Sequence, residues 1–189
     1  MKFLALDLEL NQPSNKIIQV GISIADITDE KREYLTRAWY VNPNEPITEF
    51  ITNLTGITDD DVQTKSNSLQ EIADDISRLM KENEVFVNPV TWGGGDSQEL
   101  LETFQNNNVH FPHFGRRWID VKTWYVYLML ARYKNPSGGL ASAMGEFKLP
   151  FEGLAHRADV DAYNTLRFFF HLLKRQQGLE SLVKIARTV

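Results

Sequence analysis

Strand-forming residues dominate three short segments at the start of the chain. Residues 3–10, 17–27 and 34–41 alternate between apolar and polar side chains or run apolar, and β-branched and aromatic residues are common in them. Polar or charged stretches separate the three segments, so the pattern predicts three strands in meander order. Two further strands are predicted over residues 85–92 and around residues 118–121.

Helical spacing of apolar residues follows in the middle and at the end of the chain. Thr58 opens a Thr-x-x-Asp pattern typical of a helix start, and Ser68 with Glu71 forms a capping box. The apolar residues after Ser68 recur every three or four positions and predict an amphipathic helix over residues 68–83. Further helices are predicted over 96–105, from 121 to about 134, over 140–147 and over 158–174.

The order of these elements predicts the fold class. Strands come first, strand–helix alternation follows, and no repeat or low-complexity linker separates the parts. This order indicates an α/β protein with a mixed central sheet of about five strands flanked by helices. A chain of 189 residues with 42% hydrophobic residues is long enough for one core, so we expect a single domain.

Composition narrows the functional classes. No apolar run approaches the roughly 18 residues of a membrane span, and the absence of cysteine excludes disulfides, thiolate chemistry and Cys-based zinc sites. We therefore expect a cytoplasmic protein without a membrane partner. The net charge is −5, but residues 1–114 hold 8 Lys and Arg against 19 Asp and Glu, whereas residues 115–189 hold 12 against 6. Solvated helix faces of different sign would explain this split, so charge alone does not identify a partner.

Two carboxylates lie inside the first predicted strand. Asp7 and Glu9 are two residues apart, so their side chains lie on the same face of the sheet. Neighbouring carboxylates repel each other and lose hydration when partly buried, so cations or firm hydrogen bonds must compensate them. Exposure on an edge strand is the alternative explanation.

Three more candidate residues come later in the chain. Asp96 follows a predicted strand and the turn Gly93-Gly94-Gly95, where an α/β sheet presents functional groups, although a helix cap would also explain it. His156 and Asp161 lie where a loop enters the last predicted helix, and a loop position would let His156 reach the acids. Each residue alone has a structural explanation, and only the combination indicates a site.

Taken in order, these residues resemble the three motifs of the DEDDh 3′-to-5′ exonucleases, which have a ribonuclease H-like fold. The motifs are Asp-x-Glu in the first strand, an Asp after a Trp-Gly turn, and His-x-x-x-x-Asp near the end. The resemblance covers nearly the whole chain and is closest to the Eri1-like exoribonucleases. It rests further on residues 48–57, 91–93, 118–122, 151–153 and 161–164. It implies that residues 1–189 form a single exonuclease domain.

The resemblance implies a metal-dependent nuclease. Asp7, Glu9, Asp96 and Asp161 would hold two divalent cations, Mg²⁺ or Mn²⁺, which prefer oxygen ligands. His156 would be the general base, since histidines titrate near neutral pH. The expected reaction removes 5′-mononucleotides from the 3′ end of single-stranded RNA or DNA. The alternatives are a DNA-preferring, proofreading-type exonuclease and a non-cleaving nucleic-acid-binding module on the same fold.

The resemblance also implies substrate contacts. The terminal nucleotide would meet Leu8, Leu10, Asn11, Leu54, Thr55, Gly56 and Trp92. Core packing would equally explain Leu54. Candidate contacts to backbone phosphates are Arg116, Arg117, Lys122, Arg132, Lys134 and Arg157. Gly94 and Gly95 stand where the Eri1-like pattern usually has an acid and an aromatic residue, so base stacking would come from elsewhere, for example from Trp92 or Phe147.

Two other acids lie near these motifs. Asp159 is a rival to Asp161 for the metal role, but the spacing from His156 favours Asp161. Asp120 lies near a predicted strand end, and we expect it to support the site without holding a metal.

Overall fold

Five strands form one mixed sheet in the computed structural model, which describes residues 1–29, 33–136 and 138–187. The strands are β1 (Lys2–Leu10), β2 (Ile17–Asp26), β3 (Leu35–Tyr40), β4 (Val90–Thr91) and β5 (Ile119–Asp120). Their order across the sheet is β3-β2-β1-β4-β5. The first three strands pair antiparallel, whereas β4 and β5 run parallel to β1. The predicted mixed sheet of about five strands is therefore confirmed.

The described residues also form seven helices. They are α1 (Glu49–Thr55), α2 (Asp59–Thr64), α3 (Leu69–Glu82), α4 (Gly95–Asn106), α5 (Val121–Leu130), α6 (Leu140–Glu146) and α7 (Ala158–Arg187). Both predicted helix starts before α2 and α3 are confirmed as capping boxes, in which Thr58 and Ser68 accept from backbone N–H groups three residues on. None of the helices in the described part of the chain has the length and apolar character that a membrane crossing needs.

The two faces of the sheet pack against different helices, because side chains alternate along β1. Leu4, Leu6 and Leu8 point into a core shared with α3 and α4. Phe3 and Ala5 point to the other side, into a core shared with α5, α6 and α7. Asp7 and Glu9 continue this second row, so they lie on the face that α7 covers.

The structure corrects the predicted bounds of one strand and two helices and adds one helix. Helix α5 ends at Leu130 and not near residue 134. In the predicted strand 85–92, only Val90 and Thr91 pair regularly, and Val85 makes an isolated bridge. Pro89 interrupts this segment, since proline has no amide hydrogen for the ladder. Helix α1 was not predicted, because its seven residues are too few to display a helical period. Helix α7 continues beyond residue 174 to Arg187.

Candidate active site

Three elements bring the four predicted acids to one end of the sheet. Asp7 and Glu9 lie near the carboxyl end of β1, Asp96 lies in the first turn of α4, and Asp161 lies in the first turn of α7. Strand β1 has neighbours on both sides, so the explanation that its acids lie on an exposed edge strand is wrong. The cap position of α4 is Gly94, so Asp96 is not the helix cap either.

His156 lies beside two of these acids. One ligand atom each from Glu9, His156 and Asp161 lie within 4.8 Å of one another. The backbone N–H of His156 donates to Oδ2 of Asp161 at 2.9 Å. His156 itself has a φ of 63° and precedes the first residue of α7, so it has the loop position that the sequence predicts. This hydrogen bond fixes the backbone of His156 over the acids, while its side chain stays exposed.

A cavity of about 460 Å³ opens next to these groups. Asp7, Glu9 and Asp161 line one side, and Trp92 and Phe151 supply apolar surface. The remaining wall is the start of α6, residues 139–142, together with Leu8, Ala155 and His156. The cavity therefore combines a charged wall with an apolar wall.

The two carboxylates of β1 are strongly perturbed. Burial raises the pKa of Asp7 well above its ordinary value, and the nearby charges of Asp96, Asp161 and Glu9 raise it further. Burial also raises the pKa of Glu9 to about 8, again with help from Asp161 and Asp96, while Arg157 opposes the shift. The described groups therefore do not by themselves offset the negative charge of this strand end.

The acids contributed by the two helices are perturbed in the same direction. The pKa of Asp96 rises to about 7, chiefly through burial and then through the charges of Asp120 and Asp161. Burial raises the pKa of Asp161 as well, although its hydrogen bond to His156 opposes this. Four crowded carboxylates beside an imidazole are a donor set of oxygen and nitrogen atoms without sulfur. This set fits hard divalent cations, whose charge would compensate the crowding.

Strand β2 holds the start of α7 against these acids. Gln19 and Gly21 lie directly opposite Glu9 and Asp7 in the β1–β2 pair. A Cβ atom on Gly21 would lie 2.0 Å from the carbonyl carbon of Ala158, so only glycine allows this close approach. Gln19, which is fully buried, accepts the Ala158 N–H at 3.0 Å. Neither residue is singled out by the sequence, because the only signals there are a polar residue and a glycine inside an apolar strand.

Arg157 is a predicted phosphate contact, and Tyr40 at the end of β3 holds its side chain in position. Its Nη2 donates to the Tyr40 hydroxyl at 3.0 Å, and its guanidinium carbon lies 5.6 Å from the centre of the Tyr40 ring. The same charge opposes the rise in the pKa of Glu9. Arg157 therefore brings a positive charge close to the acids.

Asp120 has the supporting geometry that the sequence suggests. Its Oδ1 accepts from the backbone N–H of Gly93 at 3.0 Å and from that of Lys122 at 2.9 Å. These bonds tie the glycine turn before Asp96 to the start of α5. Asp159 lies in the first turn of α7 but is not part of the group formed by Glu9, His156 and Asp161.

The predicted substrate contacts separate into two sets. Leu8 and Trp92 line the cavity, whereas Leu10, Asn11, Leu54, Thr55 and Gly56 do not. Asn11 is 2% exposed, and its side chain bonds to Glu45, to the carbonyl of Pro46 and to the N–H of Thr48. The Thr55 hydroxyl donates to the carbonyl of Ile51 at 2.8 Å. The side chains of Asn11 and Thr55 are thus occupied in holding α1, and any contact they make with substrate has to come from the backbone.

The positions around the rest of α1 are more open. Leu54 is 40% exposed on α1, and Gly56 ends this helix with a φ of 73°. Phe147, which the sequence suggests as a stacking residue, is only 7% exposed, so that suggestion is wrong. Trp92 is half-buried and contacts the Tyr125 and Phe168 rings at centroid distances of 5.7 and 5.9 Å. Trp92, like Phe151, therefore lines the cavity, and its predicted role in stacking on a base stays a prediction.

The predicted phosphate contacts lie in different regions. Arg116 and Arg117 precede β5, which runs parallel to β1, so they lie at the opposite end of the sheet from the acids. Lys122 lies over the glycine turn, with its Cδ 3.8 Å from where a Cβ of Gly93 would be. Lys134 pairs with Glu146 at 2.7 Å. Of these four residues, Lys122 is the one that lies near the candidate site.

Comparison with known proteins identifies the family. The sequence profile of the family described as Exonuclease matches residues 4–169. This chain belongs to the exonuclease family. It is 26% identical over 150 residues to 3′-5′ exoribonuclease 1 of Rattus norvegicus, covering 75% of this chain and 41% of that protein. It is 27% identical over 168 residues to the PolC-type DNA polymerase III of Mycoplasmopsis pulmonis (strain UAB CTIP), covering 85% and 11%. This member of the exonuclease family thus spans less than half of either relative.

Solved structures confirm the fold predicted for this exonuclease-family chain. The nuclease domain of 3′hExo, a DEDDh family member bound to rAMP, superimposes with a TM-score of 0.76 at 21% identity, covering 92% of each chain. A 3′-exonuclease that recognises the 3′ end of a histone mRNA stem-loop gives 0.78 at 21% identity, covering 92% and 82%. Escherichia coli exonuclease I with a dT13 oligonucleotide gives 0.68 at 19%, covering 96% and 43%. The mixed sheet and its flanking helices are those of the ribonuclease H-like exonucleases.

Proposed function

We propose that residues 1–189 form a single exonuclease domain that removes nucleotides one at a time from the 3′ end of single-stranded RNA. The observation that carries this proposal is the convergence of Asp7, Glu9, Asp161 and His156 at the wall of one cavity. Asp96 lies close enough for its charge to raise the pKa of Asp7. A relative named as a 3′-5′ exoribonuclease and a neighbour bound to rAMP support RNA as the substrate.

DNA is the second candidate substrate. One curated relative is a DNA polymerase, and exonuclease I was solved with a DNA oligonucleotide. This chain spans 11% and 41% of the lengths of the two curated relatives, so the activities of the remaining parts of those proteins are not assigned to it. A cytoplasmic location stays a prediction.

Two divalent cations, Mg²⁺ or Mn²⁺, would be held by the four carboxylates. When bound, such cations lower the pKa of an attacking water and stabilise the charge that develops on the phosphate. The raised pKa values of Glu9 and Asp96 support this assignment, since these acids are fully ionised at neutral pH only when positive charge compensates them. Asp7 and Asp161 are shifted in the same direction.

His156 would act as the general base. Its side chain is exposed at the cavity wall and its backbone is held by Asp161, so the ring can reach a water above the acids. The imidazole would take a proton from this water, and the water oxygen would form a bond to the terminal phosphorus. The bond from phosphorus to the 3′ oxygen of the preceding nucleotide would break, releasing a 5′-mononucleotide.

The cavity would hold the terminal nucleotide. Its volume of about 460 Å³ lies in the range of small-molecule sites. Trp92 and Phe151 provide the apolar surface on which a base can pack. Arg157 is placed by Tyr40 to meet a phosphate oxygen. The backbone near Leu10 and Asn11, with the exposed side chain of Leu54, would contact the sugar and base from the α1 side.

The test is a cleavage assay with a 5′-labelled single-stranded RNA and the matching DNA, each in Mg²⁺, Mn²⁺ or EDTA. We expect a ladder of single-nucleotide steps that needs metal, is faster on RNA and is blocked by a 3′-phosphate. His156→Ala should abolish the ladder, whereas Asp74→Asn, an exposed acid on α3, should leave it unchanged. Cleavage in EDTA, internal cuts or full activity of His156→Ala would contradict the proposal. Binding of RNA without any ladder would favour the non-cleaving module.

A further inference from the structure

A group of positive charges surrounds one aromatic ring on the α7 side of the sheet. Phe147 follows the last residue of α6 and is 7% exposed. The guanidinium carbons of Arg132 and Arg175 lie 4.7 and 5.7 Å from the centre of its ring. The His171 ring packs edge-on against it at 6.0 Å. Residues from α6, from α7 and from just after α5 therefore meet at this ring.

Basic residues outnumber acidic residues in this region. Residues 131–148 and 171–177 contain five Lys and Arg and one acid, Glu146. Glu146 pairs with Lys134, and the charge of Arg132 also helps to lower its pKa, so this one acid offsets only part of the positive charge. Burial lowers the pKa of His171, and the charges of Arg175 and Lys174 lower it further, which places Lys174 in the same field. We call Arg132, Lys174 and Arg175 the Phe147 basic cluster.

The cluster lies at a defined distance from the candidate active site. Asp161 and Arg175 are on the same helix, fourteen residues apart, which corresponds to about 21 Å. Helix α6 connects the two regions directly, since Leu140 at its start lines the cavity and Phe147 follows its end. A linear ligand that starts in the cavity and follows α6 would therefore arrive at the cluster.

The surface of α6 leaves room for such a ligand. Its exposed positions before Glu146 are occupied by small side chains, those of Ala141, Ser142 and Gly145. A Cβ atom on Gly145 would meet nothing within 4 Å, so the space above this glycine is open. The path along α6 therefore carries neither bulky side chains nor an unpaired acid.

We propose that the Phe147 basic cluster binds the phosphate backbone of the single strand upstream of its 3′ end. This inference rests on the proposed function, because it takes a nucleic acid as the substrate. Guanidinium groups bind phosphate in a planar, bidentate manner, and both Arg132 and Arg175 are held beside the Phe147 ring by cation–π contacts. A stacked strand advances about 3.4 Å per nucleotide, so roughly six nucleotides span the distance to Asp161. A dinucleotide is too short to reach both regions.

The first experiment compares a dinucleotide with a 12-nucleotide RNA. The double variant Arg132→Gln/Arg175→Gln should raise KM for the 12-mer about tenfold relative to KM for the dinucleotide. The slope of log KM against log salt should fall by about 1.4, because each phosphate contact on a single strand contributes about 0.7. The matched control is Arg78→Gln/Lys81→Gln, which removes two exposed charges from α3 on the other face of the sheet.

A second variant pair keeps both arginines and their packing on Phe147. Gly145→Glu adds a negative charge to the path, whereas Gly145→Gln adds a side chain of equal size without charge. We expect the first to raise KM for the 12-mer several-fold and the second to leave it near the wild-type value. The two variants should melt at the same temperature.

Three results would overturn the inference. They are a double variant whose KM rises equally for the dinucleotide and the 12-mer, an equal effect of the α3 control, and equal KM values for Gly145→Glu and Gly145→Gln. Failure of the proposed exonuclease function can be told apart from failure of this inference, because the wild type would then cleave neither the dinucleotide nor the 12-mer. Binding of a fluorescent 12-mer in EDTA still tests the cluster, and equal affinity of wild type and double variant would overturn it.

Discussion

The side chains on the two faces of β1 lie in very different environments. On one face, Leu4, Leu6 and Leu8 are buried in succession against α3 and α4. On the other face, the row begins with buried Phe3 and Ala5 but continues with acids. The difference lies in what covers each face. The start of α7 brings Asp161 onto the acidic end, and a cavity opens beside it.

Because side chains alternate along β1, the leucines that stabilise the fold and the acids of the candidate site lie on opposite faces of the strand. Burial of leucines on the first face stabilises the fold by about 2 kcal/mol per side chain. Burial of carboxylates on the second face raises the pKa of Asp7 and Glu9 and therefore destabilises the ionised protein. Substitutions on the two faces should thus affect different properties.

The largest expected effect is on the acidic face. Asp7→Asn should lower the rate of nucleotide release by at least about 1000-fold, since it removes an oxygen ligand and its charge from the site. It should also abolish the rise in melting temperature that Mg²⁺ or Mn²⁺ gives the wild type. Single-turnover rates and thermal melts with and without metal measure both effects. Asp60→Asn, at an exposed position on α2, is the control. A variant that melts like the wild type in Mg²⁺ and cleaves at a similar rate would contradict the assignment.

The second prediction concerns the apolar face. Leu6 is fully buried, so Leu6→Ala should lower the free energy of unfolding by about 2–5 kcal/mol. The molecules that remain folded should keep their activity and their response to metal. Urea denaturation combined with activity measurements checks this, with the exposed Leu130→Ala as a neutral control. A Leu6→Ala variant that loses activity without a fall in its unfolding free energy would contradict the prediction that this face affects stability alone.

Gly21 lies on the acidic face, opposite Asp7, but we expect its substitution to affect both stability and activity. Gly21→Ala introduces a Cβ atom 2.0 Å from the Ala158 carbonyl carbon, so the start of α7 has to move away from β2. We expect a loss of about 1–3 kcal/mol in stability from the forced rearrangement. Activity should fall at least tenfold, because His156 and Asp161 move with the helix.

The control for this change is Gly178→Ala, where the new Cβ atom meets nothing within 4 Å. Measuring kcat and the unfolding free energy for both variants separates a helix displacement from a general glycine effect. Wild-type kcat in Gly21→Ala would mean that the contact with α7 does not position the site.

The smallest expected effect is a pH dependence of the metal-free protein. The folded pKa values of Glu9 and Asp96, about 8 and about 7, lie above their ordinary values. The folded state therefore binds more protons than the unfolded state between roughly pH 4 and pH 8, and stability falls as pH rises through this window. Thermal melts in EDTA should show a fall of several degrees from pH 5 to pH 8.5. Saturating Mg²⁺ should reduce the fall, and so should Glu9→Gln. An increase in melting temperature over this range in EDTA would contradict the pKa shifts.

Much of the site could be predicted from the sequence because its signals are local. The two-residue spacing of Asp7 and Glu9 places both on one face whatever surrounds the strand. The capping boxes at Thr58 and Ser68 were readable because each is completed within four residues. The order of the motifs around Asp96 and His156 was enough to indicate the exonuclease family, which the match over residues 4–169 confirms.

The remaining features depend on contacts between distant parts of the chain. Gln19 binds the Ala158 backbone across 139 positions, and Arg157 reaches Tyr40 across 117. No local pattern shows that Asn11 holds the segment before α1 or that Phe147 is covered by two arginines. Such pairings arise only when the sheet and its helices are assembled.

The sequence by itself therefore determined the main strands and helices, because alternation and helical period follow from backbone geometry. The order of the motifs singled out the candidate acids. The tertiary structure alone decided which face of β1 carries the candidate site and which side chains are occupied in the fold. It also decided where positive charge gathers. The physical reason is that burial, electrostatic shifts and close approach depend on the distance between atoms in space, which sequence separation does not give.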